Sequence, residues 1–412
     1  MNKVIQTHRD EIGRIAGECR HMLLEQVAPF WSERAVDDVY HGYYTCFDRK
    51  GRRYDSRKPG WFLGRTMYTF SSLCQQFGAR EEWLRVVQAG IDFLPRASLG
   101  DGRFAQMLSR EGEVLAGATS IFTDHFAVKG LINYLAALGE ASEPEQAERV
   151  RALLERLLVH VNNPEILAQE CPDRRFQKHA VNFMTMTVLI EARKLFGTAF
   201  DSTLRENVFK SLYQFASDDL EAPLEYISQD GRALPEGPGR LVDSGHTMES
   251  LWFSMEAADL LKESAWYGRA GQVLDWVIDK CWDERFGGFM QHVDYALGQP
   301  EEPYLITDYD GVPVAWDDKI WWVQAEGLIA LCMSALRNDN EGHWRKFIDL
   351  YAYVRKNFVE ENSGEWFCFL KRNGDMLCDN LGSTLKGPYH VPRCLATLTR
   401  LLESAANAQP PL

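Results

Sequence analysis

Apolar residues recur every three to four positions in segment after segment of this chain, and that spacing permits little except packed helices. The stretch 81–94 shows the pattern: Trp83, Val86, Val87, Gly90, Ile91 and Leu94 fall on one stripe. The same period predicts helices at about 9–28, 65–77, 81–94, 121–138, 143–161, 179–197, 200–217, 245–262, 265–281, 321–336, 343–358 and 391–404. Four segments alternate instead and carry a glycine at a turn: Tyr43–Tyr54 around Gly51, Phe104–Leu115 around Gly112, Leu224–Leu234 around Gly231, and Trp366–Leu377 around Gly374. Each reads as a β-hairpin whose turn needs positive φ. The first two turns lie about 60 residues apart, and the third follows two such periods later.

Twelve helices in six pairs predict an all-α fold, an (α/α)6 barrel with short β-hairpins at one mouth. The even-numbered helices would form the inner ring. No stretch rich in Pro, Gly and Ser divides the chain, so one domain over 1–412 is expected. A superhelical solenoid is the structural alternative, but it does not explain hairpins that precede even-numbered helices only. In the barrel, the hairpins and the inner-helix N-termini share a mouth. Free N–H groups and partial positive charge gather there, so polar residues at those helix starts are the candidates for chemistry.

Composition narrows the function. Lys and Arg number 45 against 59 Asp and Glu, a net charge of −14. An acidic chain of this kind does not bind nucleic acid or anionic lipid through a broad basic field. No run is long and apolar enough to span a bilayer, and charges interrupt the first twenty residues, unlike a secretory signal. The nine cysteines, at 19, 46, 74, 171, 281, 332, 368, 378 and 394, form no CxxC pair. Reduced thiols in a cytoplasmic protein are expected.

The starts of the inner helices hold the chemistry. One begins Gly64-Arg65, another Gly245-His246-Thr247-Met248-Glu249 with Trp252 beyond, a third Lys319-Ile320-Trp321-Trp322 leading to Glu326, and the last Tyr389-His390-Val391-Pro392-Arg393. His246 and Glu249, three apart, share a helix face, where a carboxylate can fix an imidazole's tautomer. Two imidazoles on opposite sides of a small substrate can remove a proton from one face and return it to the other. Arg65, Arg393 and Lys319 are candidates to stabilise a developing oxyanion. His125 and His179 also start inner helices and read as solvated or hydrogen-bonded structural residues. No HExxH, Walker or strand-linked GxGxxG motif is present, and no metal site is expected.

These segments, with Trp282-Asp283-Glu284, Gly287-Gly288-Phe289, Gly364-Glu365-Trp366 and Lys386-Gly387-Pro388, resemble the N-acylglucosamine 2-epimerase family, which includes cellobiose 2-epimerases and mannose-type aldose–ketose isomerases. The resemblance implies an (α/α)6 barrel and cofactor-free proton transfer at the carbon beside a sugar carbonyl. It implies that His246 and His390 are the acid/base pair, that Arg65 binds the carbonyl or enediolate oxygen, and that Glu249 and Glu326 position the histidines and hydroxyls. Trp321, Trp322 and Arg393 would shape the pocket, with Tyr389, Lys319, Trp252 and Asn182 as further substrate-binding residues. The isomerases and cellobiose epimerases carry an additional His where this chain has Val188, within the segment that holds Asn182 and Thr185.

The expected activity is interconversion of N-acyl-D-glucosamine and N-acyl-D-mannosamine by His-mediated deprotonation and reprotonation at C2 through an enediolate. The alternatives are a mannose/fructose-type aldose–ketose isomerase, a cellobiose 2-epimerase, a non-catalytic protein-binding barrel, and a glycosidase, which would need two flanking carboxylates where this chain offers histidines. The expected partners are a small-molecule sugar and a second copy in a homodimer, with no nucleic acid and no membrane.

Overall fold

The fold was derived from a computed structural model that describes residues 2–171 and 173–408. Its helices are α1 (Lys3–His21), α2 (Ala28–Arg34), α3 (Gly60–Phe77), α4 (Glu81–Ala97), α5 (Ile121–Leu138), α6 (Pro144–His160), α7 (Pro164–Leu167), α8 (His179–Phe196), α9 (Asp201–Phe209), α10 (Ser244–Leu261), α11 (Ala265–Cys281), α12 (Trp321–Asn338), α13 (Glu341–Asn357) and α14 (His390–Asn407). Single π-helical turns, Met22–Val27 and Lys210–Gln214, extend α1 and α9. The helical periods read from the sequence all reappear, with ends displaced by caps. Asn2, for example, accepts the Ile5 N–H at 2.9 Å and so starts the first helix several residues early.

Burial alternates along the chain. Fifteen of the eighteen residues of α12 are buried, but only four of the seventeen of α6. A helix buried all round belongs in a core, whereas one with a single buried stripe covers it.

The chain divides into two compact units. One consists of residues up to Ala28, Val208–Asp379, and His390 onward. In it α10 packs on α12 and α12 on α14, while α11 and α13 pack on α10 and α12, and α1 on α14. The other consists of Pro29–Asn207 and Asn380–Tyr389. There α3 packs on α5 and α5 on α8, with α4 against α3 and α6 against α5.

Two of the four expected hairpins form as ladders. Met107–Leu108 pairs with Val114–Ala116 across a turn with Gly112 at φ +100°, and Phe369–Leu370 pairs with Met376–Cys378. Two do not. Around Gly51, the Asp48 side chain accepts the Lys50 and Arg52 N–H groups at 2.9 Å, and that local turn leaves only a Phe47–Arg53 bridge. Around Gly231 the turn closes, but the return arm reaches Pro235, which has no N–H for a ladder. Three further hairpins were not expected: Ser98–Gly100 pairs with Arg103–Phe104, Ala216–Ser217 with Ala222–Pro223, and Ile306–Tyr309 with Val312–Ala315 across Asp310-Gly311, both at positive φ. Finally, Leu241–Asp243 pairs with His292–Asp294 and sets Asp243 opposite His292 at the head of α10.

Candidate active site

Three helix starts in the first unit converge. Asp243 caps α10 by accepting the backbone N–H of His246 at 2.9 Å, which fixes the first turn and aims the imidazole. Trp322, in the first turn of α12, lies beside that imidazole, with ring centroids 5.4 Å apart. His390 opens α14 and lies on the indole as well, at 5.7 Å. Two imidazoles thus flank one indole.

Each imidazole turns Nδ1 toward carboxylate. His390 Nδ1 is 2.8 Å from Glu326 Oε1. That carboxylate is held on all sides: Arg393 donates to Oε1 at 2.7 Å, and the Trp252 indole donates to Oε2 at 2.8 Å. The same Arg393 nitrogen donates to Glu249 Oε1 at 2.7 Å. His246 Nδ1 lies 3.2 Å from Glu225 Oε1 and 3.3 Å from Asp243 Oδ2. Asp243 Oδ2 also accepts Gln291 Nε2 and meets His292 Nε2, both at 3.2 Å. Burial works against ionisation of Asp243, but the neighbouring charges of His246 and His292 and their hydrogen bonds outweigh it and hold the carboxyl well below the usual range. The Tyr309 hydroxyl donates to Gln291 Oε1 at 2.6 Å, so the unexpected hairpin that carries it steadies the Asp243 network.

Glu249, Glu326 and His390 bring one ligand atom each within 4.8 Å of one another. A guanidinium nitrogen already bonds both carboxylates there, so Arg393 supplies the positive charge that this donor set calls for.

Several expectations change. Glu249 does not hold His246; it is committed to Arg393, and the partners of His246 are Glu225 and Asp243. Lys319 does not reach a pocket. It is wholly buried with its ammonium 3.0 Å from Asp283 Oδ2, and burial pushes its pKa down to about 8 against the pull of that carboxylate. Trp321 faces Phe369, edge to face at 5.4 Å, whereas Trp322 is the indole beside the histidines. Trp252 is buried and acts on Glu326.

Three expected residues lie in the second unit. The Arg65 guanidinium sits among the Trp61, Phe62, Phe126 and Tyr389 rings, 4.1–5.3 Å from their centroids. The Tyr389 hydroxyl accepts from Lys129 Nζ at 3.2 Å. Asn182 donates to the Asn207 carbonyl at 2.9 Å. His125 and His179 are buried, and His125 is held by Ile121 O at 2.9 Å and Thr185 Oγ1 at 3.1 Å, a structural residue.

Sequence reasoning missed Glu225, Gln291, His292 and Tyr309. Asp310-Gly311 between alternating residues was a usable signal for the hairpin that carries Tyr309. Nothing local marks the others.

Residues 42–394 match the N-acylglucosamine 2-epimerase (GlcNAc 2-epimerase) family. The chain is 26% identical over 407 residues to the N-acylglucosamine 2-epimerase of Homo sapiens, covering 94% of this chain and 90% of that protein. It is 24% identical over 411 residues to the cellobiose 2-epimerase of Bacteroides fragilis, covering 94% and 99%. Among solved structures, the cellobiose 2-epimerase of Bacillus thermoamylovorans superposes with a TM-score of 0.77 at 15% identity over 94% of this chain and all of that one. A D-mannose isomerase gives 0.74 at 15% identity over 97% and 98%. With its motifs matched from the head of α3 to α14, the chain belongs to the N-acylglucosamine 2-epimerase family.

Proposed function

We propose that the protein interconverts N-acyl-D-glucosamine and N-acyl-D-mannosamine. The observation that carries this reading is the pair of imidazoles beside Trp322, each with Nδ1 turned to a carboxylate; Nε2 is assigned as the reacting nitrogen. In the open-chain sugar, one imidazole takes the C2 proton. The C2–H electron pair moves toward C1 and leaves negative charge on the carbonyl oxygen, an enolate for an N-acyl sugar and an enediolate for a free aldose. The other imidazolium returns a proton to the opposite face. Glu326 and Arg393 keep His390 oriented, with Glu249 and Trp252 behind them. Proton transfer of this kind asks nothing of a metal.

The similarity to cellobiose 2-epimerase over nearly the whole chain supports an (α/α)6 barrel as the scaffold. A cytoplasmic homodimer completes the reading. Val188 is wholly buried in α8. The preference for N-acyl sugars rests on the matched relatives.

The test assays N-acetylglucosamine, N-acetylmannosamine, mannose, glucose and cellobiose side by side in heavy water, with and without a chelator. Epimerisation of the N-acetyl sugars with deuterium at C2, unaffected by chelation, is expected. His246→Ala and His390→Ala should each lower kcat by about 10²- to 10⁴-fold without unfolding the protein. Mannose-to-fructose conversion with inert N-acetyl sugars would replace this reading with the isomerase.

A further inference from the structure

Glu225 stands outside every motif, yet its placement is unusual for a carboxylate. Its side chain is 3% exposed. Among the described residues neither oxygen takes a hydrogen bond of settled geometry. The backbone around it is fixed: its N–H donates to the Leu241 carbonyl at 2.9 Å, and Leu224 and Ile227 are anchored with Phe215 in a fully buried apolar cluster. Buried carboxylates are costly unless something pairs with them. What Glu225 faces, at 3.2 Å, is Nδ1 of His246.

Asp243 is the competing partner at 3.3 Å, but its capacity is spent. Oδ1 takes the His246 backbone N–H, and Oδ2 takes Gln291 Nε2 and meets His292 Nε2. An oxygen with two neighbours already has little to offer a third donor. Glu225 is left as the acceptor for the imidazole N–H.

We propose that Glu225 is the positioning residue of His246, doing for that imidazole what Glu326 does for His390. It holds the proton on Nδ1, presents Nε2 to the sugar, and steadies the imidazolium each time His246 carries the C2 proton. This rests on the two-imidazole reading above. It adds that the pair is built from separate parts, so that one half-reaction can be damaged while the other runs.

Glu225→Gln keeps the size of the side chain and an acceptor but removes the charge. It should fold, lower kcat by at least about tenfold, and leave KM within about threefold. The decisive readout is deuterium at C2 of unreacted substrate in heavy water. Starting from the epimer that His390 deprotonates, the enolate still forms, but delivery from His246 is slow. The intermediate then returns to substrate, carrying solvent deuterium in proportion as the proton on His390 has exchanged. The ratio of exchange to inversion should rise about tenfold over wild type from that epimer and fall from the other, where return of the proton by His246 is the slowed step. Glu225→Asp, with the carboxylate drawn back, should move the same ratio for the same epimer by less.

Wild-type kcat in Glu225→Gln, or a loss that leaves the ratio unchanged from both epimers, overturns the proposal. His246→Ala separates the two levels. If it is inactive while Glu225→Gln behaves as wild type, only the role of Glu225 fails. If His246→Ala turns over normally, the two-imidazole reading fails with it.

Discussion

At the scale of single residues, the glycine before His246 shows how little room the site leaves. A Cβ on Gly245 would lie 2.3 Å from Trp322 Cζ3 and 2.5 Å from Cη2, so any side chain there displaces the indole. Gly245→Ala is therefore expected to cost activity through geometry. A drop of about 10²-fold in kcat/KM with a thermal midpoint close to wild type is the expected result. Unchanged kcat/KM would show that Trp322 need not stand where it does. The site histidines were legible because each opens a helix within a run of like motifs. Glu225 was not, since its partner is 21 positions away on another element and a lone Glu in a strand-like segment carries no local mark. Lys319 was misjudged for the same reason: its partner Asp283 is distant in sequence, and a buried ion pair leaves the same trace as an exposed cation.

Among the elements, α3 and α5 meet through glycine. A Cβ on Gly64 would fall 1.9 Å from the Phe126 carbonyl oxygen, and one on Gly130 would fall 2.7 Å from the Gly64 oxygen. Backbone cannot give way as a flexible side chain can, so Gly64→Ala must push the helices apart. A loss of roughly 3 kcal/mol, read as a lower thermal midpoint, is expected; a variant as stable as wild type would contradict the close approach. Gly64 precedes Arg65, so the residue that looked like a motif letter is also a packing requirement. Helices were readable because their period is local and repeated. The hairpins were less so, because a turn signal fixes a turn and not the arms. At Gly51 an Asp side chain took over the hydrogen bonds, and near Gly231 a proline ended the second arm.

At the scale of the whole molecule, the backbone passes between the two units after Ala28, Asn207, Asp379 and Tyr389. No stretch rich in Pro, Gly and Ser marks these points. Stability against acid is a property of the entire chain. Burial pushes His125 down to about 4. Once unfolded it titrates near 6.5. Between these values the unfolded chain binds a proton that the native one does not, so stability falls as pH drops through that window, by up to about 3 kcal/mol. Asp124 works in the opposite sense. Burial, opposed by Arg103, raises it to about 6, and the native carboxyl then binds its proton before the unfolded one does. Comparing wild type with His125→Asn isolates the imidazole. The thermal midpoint of the variant should gain on that of wild type as pH is lowered from 6.5 to 4, and parallel curves would refute the burial argument.

Trp322, beside both imidazoles at 5.4 and 5.7 Å, has an optical consequence. An imidazolium draws an electron from an excited indole far more readily than a neutral imidazole does. The emission of this one tryptophan therefore dims whenever either histidine holds a proton and brightens when both have let go. A ring in reach of both bases is also placed to signal, without any added label, whether either of them carries a proton.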